Sequence, residues 1–151
     1  MRLLDKFKLT LGAVLLTSLG LQAQTISISG TVFSDGNGLT DNLISGTGTN
    51  CGGLLMVRVM SSSFDSLAGA IVDDDGTFTI INVPVGDNVL YLGTVNDPAF
   101  FDGDLPTWLH VGEKIGTGAG GDGDTDGVLY LSGYSSDITN ANFGIEQMPQ
   151  A

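Results

Sequence analysis

Apolar and polar residues alternate over short runs of this chain, with the period of two that half-buried strands show. Thr25 to Phe33 reads TISISGTVF, with Ile26, Ile28 and Val32 separated by Ser and Gly. In Leu54 to Met60, LLMVRVM, an extended backbone puts Leu55, Val57 and Val59 on one face and Met56, Arg58 and Met60 on the other. Further strands are predicted at Leu67 to Val72, at Thr77 to Ile80 with Phe78 and Ile80 on one side, and at Asn88 to Leu92. Val128 to Leu131 and Asp137 to Ile145 complete the set, the last turning Ile138, Ala141 and Phe143 inward. None of these runs has a helical period. About seven strands without helices are buried most economically as two packed sheets, so the pattern predicts an all-β sandwich. Phe33, Phe78, Tyr91, Trp108, Tyr130 and Phe143 are expected to carry much of its core.

The connections are rich in Gly, Asp and Asn. Asn42 to Gly53 has no period and reads as loop, and Ser61 to Ser66 as a turn with Phe64 folded back or exposed. Asp73-Asp74-Asp75-Gly76 reads as a solvated tight hairpin, because Asp-Gly supplies the positive backbone torsion such a turn needs. Pro84 interrupts the strand pattern within Asn82 to Gly86, since proline cannot donate to a central ladder. Gly93 to Gly127 reads as one long loop, tacked down by Leu105, Trp108, Leu109 and Val111.

Within that loop, Asp122, Asp124 and Asp126 stand at alternate positions and Gly127 follows. This is the spacing of positions one, three, five and six of a calcium loop, where hard oxygen ligands surround the ion. Position seven is met by the Val128 carbonyl, but position twelve falls on Gly133 and supplies no bidentate carboxylate. A second acidic turn offers Asp35, Asn37 and Asp41 as oxygen donors. Weak Ca²⁺ binding is expected, in the range of about 10⁻⁴–10⁻³ M found in extracellular modules. Plain solvation of flexible acidic turns is the rival reading.

Residues 1–23 look like a cleaved signal peptide: Arg2, Lys6 and Lys8 precede an apolar run from Leu9 to Leu21, and Ala23 offers a small residue at the cut. That run is too short for a comfortable transmembrane helix, so no membrane span is expected in the mature chain. The domain is placed at residues 24–146, followed by a short tail at 147–151. The whole chain carries 17 acids against 5 bases, a formal charge of -12. Without the leader only Arg58 and Lys114 remain as bases. Such a chain repels phosphate backbones, which excludes a nucleic-acid partner. Cys51 is the single cysteine, so no internal disulfide forms and an unused thiol is expected.

The strings ISGTVF (28–33), DGNGLTDN (35–42), DGTFTI (75–80), VPVG (83–86) and ITNANFGIE (138–146) together resemble the serine-aspartate-repeat-protein B-like domain of bacterial surface proteins, within the prealbumin-like, collagen-adhesin B-type group. Trp108 followed by Gly112-Glu113 is similar to that family's tryptophan and Gly-Glu loop. The resemblance implies a Greek-key sandwich that serves as a stalk, spacer or adhesive module on the cell surface, with acidic loops that bind Ca²⁺ in some members. It maps Asp35, Asn37 and Asp41 onto the turn after the first strand, and Asp122, Asp124 and Asp126 onto a late loop. The lysine isopeptide crosslink of some related sandwiches is not expected, because Lys114 is the only lysine after the leader and lies in the long loop.

The expected function is therefore a non-enzymatic, secreted or cell-surface interaction subunit with a protein or glycan partner. Two alternatives stay open. A carbohydrate-binding module would use Trp108, Phe100 or Phe101 as a stacking platform. A hydrolase would need an acid pair or a nucleophile near His110, the sole histidine, and no nucleophile motif stands there.

Overall fold

A computed structural model of the chain describes residues 23–38, 40–41, 43–96, 107–116 and 124–149. All but Ala23 of the expected leader at 1–23, together with Asp122, Phe100 and Phe101, lies outside the described residues.

Two β-sheets make the fold, as the alternation predicts. The strands are β1 (Thr25–Ser34), β2 (Thr47–Gly48), β3 (Leu55–Ser61), β4 (Ser66–Ile71), β5 (Thr77–Pro84), β6 (Gly86–Thr94), β7 (Trp108–Ile115), β8 (Val128–Tyr134) and β9 (Ala141–Gln147). One sheet runs β2-β1-β9-β7, with β5 also paired to β1, and the other runs β4-β3-β6-β8. Nine strands replace the expected seven. The additions are β2, two residues inside the glycine-rich stretch 42–53, and β7, inside the stretch expected to be one long loop. Strand β7 escapes a pattern search because its outward and inward positions do not alternate cleanly. His110 pairs with Ile145 but Gly112 with Gly144, so Val111 is an extra residue that breaks the period.

The inward faces meet in one core that includes Ile28, Val32, Val57, Leu90, Leu92 and Leu131. Leu55, Val57 and Val59 of β3 are wholly buried, as their alternation requires. Phe78 of β5 and Phe143 of β9 are also fully buried, with ring centroids 6.2 Å apart at an interplanar angle of 48°. Tyr91 is buried, Phe33 and Trp108 are half-buried, and Tyr130 is 59% exposed on the outer face of β8. The expected aromatic core is therefore narrower than the composition suggested.

Strand β1 is shared along its length. Residues Thr25 to Thr31 pair antiparallel with β5, while Val32 to Ser34 pair in parallel with β9 and Phe33 and Ser34 also pair antiparallel with β2. Close packing at the hand-over requires Gly30: a Cβ there would overlap the Ala141 carbonyl oxygen and lie 2.9 Å from the Phe78 ring.

Four outer strands, β4, β5, β7 and β8, each carry one residue more than the neighbour they pair with. Bulges of this kind twist an edge and deny it to other strands, which is how natural sheets limit edge-to-edge pairing. In β5 the irregularity includes Asn82, whose φ of 60° lies in the left-handed region that asparagine tolerates. It lets Ile80 and Val83 both face the core. Strand β5 therefore continues to Pro84, where the sequence pattern suggested a break, and proline is accepted because it ends an outer strand.

Truncating Phe143 to Ala is expected to cost about 3–5 kcal/mol, since a fully buried ring leaves a cavity. Tyr130→Ala should stay within about 0.5 kcal/mol. Urea unfolding of the two variants checks the contrast.

Candidate functional site

The acidic turns are the candidate site, and each is closed by its own hydrogen bonds. In the first turn, β1 gives way to Asp35, whose amide donates to the Ile145 carbonyl at 2.8 Å. That bond carries the turn onto β9. Asp35 is 1% exposed, and its Oδ2 accepts from the Ser45 amide at 3.2 Å. Asn37 Nδ2 donates to Asp41 Oδ2 at 3.2 Å, while Asp41 Oδ1 accepts from the Leu43 amide at 2.9 Å. Ile44, also buried, fixes the segment by packing towards Gly144 beside the Asp35 Cβ. The Glu146 carboxylate lies alongside Gly38, 3.5 Å from where a Cβ would stand. The fold thus joins Asn37 to Asp41 directly and places Glu146 beside Gly38, while the Asp35 carboxylate is bound to Ser45. Glu146 escaped the sequence reading because it belongs to the last strand, more than 100 residues away.

At the late loop, Asp124 and Asp126 are exposed, and Asp126 Oδ1 accepts from the Val128 amide at 2.9 Å. Gly127 is buried with φ 73°, and a Cβ on it would overlap the His110 ring. The glycine expected to complete a calcium loop therefore also serves packing between β7 and β8. His110 takes a structural position at that seam. Among the described residues, no group of three or more His, Cys, Asp or Glu side chains is arranged to hold a metal ion. The donors present are chemically suited to calcium, yet the carboxylates of Asp35, Asp41 and Asp126 each already hold a backbone amide.

The triple-aspartate turn differs from its expected form. Strands β4 and β5 belong to different sheets, so Asp73 to Gly76 crosses between sheets and does not close a two-stranded hairpin. Asp73 N donates to the Thr77 carbonyl and Gly76 N to the Asp73 carbonyl, each at 2.8 Å. Asn50 Nδ2 donates to Asp74 Oδ1 at 2.8 Å, tying the turn to the loop that carries Cys51. Asp75 Oδ1 accepts from the Thr77 hydroxyl at 2.6 Å and from the Thr77 amide at 3.0 Å. The hydroxyl bond foremost, then the amide bond, holds the Asp75 carboxyl below its ordinary value.

Three further polar residues were not singled out as site residues. Glu113 is fully buried on β7 opposite Phe143, although charged groups are seldom placed there. Asn142 Oδ1 accepts from the Thr31 amide at 3.1 Å, and its Nδ2 donates to the Gly116 carbonyl at 3.0 Å. Asp137 Oδ1 accepts from the Ser27 amide at 2.8 Å. Only the Gly112-Glu113 pair had a local signal. The other two are defined by strands remote in sequence. Lys114, expected in a loop, lies on β7 opposite Asn142. Arg58 Nη2 donates to the Thr94 carbonyl at 3.0 Å.

Trp108 packs against the core, which removes it as a freely presented sugar platform. No described helix is long and apolar enough to cross a membrane. Compared with known proteins, the chain matches no family model, and no curated protein is significantly similar to it.

Two titrations follow from this geometry. Asp75 is held below its usual value, so its bonds to Thr77 stabilise the fold above the unfolded value near 3.9 and are lost as pH falls through the folded value. Thr77→Val should move the Asp75 midpoint, followed by carboxyl NMR, back up towards the ordinary range. The half-buried Cys51 thiol is pushed up to about 11 by burial, against an opposing hydrogen bond from Thr49. Its alkylation by iodoacetamide at pH 8 should run roughly a hundredfold slower in the folded chain than in urea, because the thiolate is the nucleophile.

Proposed function

We propose that the chain is an exported, non-enzymatic structural or adhesive β-sandwich module of the serine-aspartate-repeat-protein B-like kind. It acts at the cell surface or as a secreted interaction subunit, with a protein or glycan partner. One observation carries this reading. Asp35, Asp41, Asp75, Asp87, Asp126 and Asp137 each accept a hydrogen bond from a backbone amide of a strand or of a connection between strands. A carboxylate used in this way fastens the backbone, and at Asp75 the bonds also hold the carboxyl below its ordinary value, the opposite of what a general acid needs. The strings behind the family resemblance lend further support, since ISGTVF, DGTFTI and ITNANFGIE lie on β1, β5 and β9 of one sheet.

Calcium belongs to the proposal through Asp35, Asn37 and Asp41, now with Glu146 nearby, and through Asp122, Asp124 and Asp126. Its role is to offset repulsion among acids in a strongly acidic chain. The carbohydrate reading that relied on Trp108 loses its anchor, because that ring packs inward.

Thermal melting with and without calcium tests the cation. At ten times the dissociation constant, a ligand that binds only the folded state adds about 1.4 kcal/mol. For a domain of this size that raises Tm by about 3–6 °C. An unchanged Tm in 10 mM Ca²⁺, with loop proteolysis also unchanged, removes calcium from the proposal. Hydrolysis of glycosidic, ester or peptide substrates by the purified chain would overturn the non-enzymatic reading.

A further inference from the structure

The outer face of the β4-β3-β6-β8 sheet carries a pocket that none of the acidic turns uses. Its volume is about 140 Å³, and Phe64, Val89, Tyr130, Asp87, Ser62 and Ser132 are among its lining residues. Val89 of β6 stands opposite Tyr130 of β8 and is only 4% exposed, so it forms the floor. Phe64 and Tyr130 remain 43% and 59% exposed. The rim is polar, with two hydroxyls and one carboxylate.

The Phe64 wall and the carboxylate of the rim are set by irregular backbone. Phe64 has φ 63°, in the left-handed region that a bulky residue rarely occupies. Ser61 holds it there: its carbonyl accepts from the Phe64 amide at 2.8 Å, and its Oγ accepts from the Ser63 and Asp65 amides at 3.2 and 3.1 Å. Opposite, the bulge in β8 brings the Gly133 amide to Asp87 Oδ1 at 2.8 Å. That bond fixes one carboxylate oxygen of Asp87, which lines the pocket with the two aromatic rings. Bulges often re-aim side chains next to binding sites.

We propose that this pocket binds one ring of a neutral sugar. A pyranose has an apolar C–H face that lies on an aromatic ring and hydroxyls at its edge that donate to a carboxylate. Phe64 and Tyr130 supply the first requirement, and Asp87 with Ser62 and Ser132 the second. The pocket is smaller than the roughly 300–1,000 Å³ of drug-sized ligand sites, which suits a single ring better than a long glycan segment. The formal charge of -12 disfavours sulfated and uronic-acid sugars by repulsion. This rests on and deepens the adhesive reading, whose partner was a protein or a glycan, with a lining drawn from residues 62–64, 87–89 and 130–132.

The test is an amide-shift NMR titration of the purified chain with cellobiose and with N,N′-diacetylchitobiose, using a sulfated heparin disaccharide as the anionic comparison. Binding in the millimolar range is expected, with shifts confined to residues 61–65, 87–89 and 130–133 and none from the sulfated sugar. Tyr130→Ala should weaken binding at least tenfold and Asp87→Asn roughly fivefold. Phe64→Gly decides between binding and structure. It removes the ring but suits the left-handed backbone, so it should abolish binding while leaving Tm unchanged or higher. A lower Tm in Phe64→Gly would make the ring a packing group and overturn the proposal. So would shifts centred elsewhere, undiminished binding in Tyr130→Ala, or no shift with either neutral sugar. A chain that binds neither sugar but melts higher in Ca²⁺ would lose this site and keep the module reading.

Discussion

The close approach of β1 to β9 at Gly30 governs the first sheet. Because no side chain stands there, the Ala141 backbone comes against β1 and the Phe78 and Phe143 rings close over the junction. Hydrogen bonds on either side maintain the contact. Ser29 donates to the Ile138 carbonyl and Ile138 to the Ser27 carbonyl, each at 2.9 Å, while Thr31 donates to Asn142. A strand shared in this way couples the start of the domain to its end. The same coupling brings Glu146 to the first acidic turn.

The outer strands show how sheets with few charges in their strands avoid pairing with one another. Each of the four longer ones gives up regular register at one residue. The cost is a local loss of ladder geometry, and the extra residues are reused. Asn82 lets β5 keep Ile80 and Val83 in the core, and the β8 bulge presents the Gly133 amide to Asp87. Edge protection and the shaping of a surface pocket are thus one structural device on β8.

An acidic chain of this kind has to stay compact against its own repulsion. Its aspartates are distributed among turns, and among the described residues six hold backbone amides. Charge-assisted bonds of this type are stronger than neutral ones. They fasten the described connections to the strands without a disulfide.

Much of the fold was legible because the strands with clear alternation, such as Leu55, Val57 and Val59 in β3, pack one face on a common core. The period of two reports burial, and burial is what the sandwich requires. Strand β7 and the continuation of β5 to Pro84 were hidden, since a single extra residue shifts which positions face inward and erases the period. The candidate acids at 35, 37 and 41 were visible by local spacing. The assembled sheets set which groups meet in and around the turns: Ser45 at Asp35, Glu146 beside Gly38, and His110 over Gly127. Glu146 is brought there by the pairing of β1 with β9, Ser45 by the fold of its own loop and His110 by the packing of one sheet on the other, none of which a local pattern of residue types encodes.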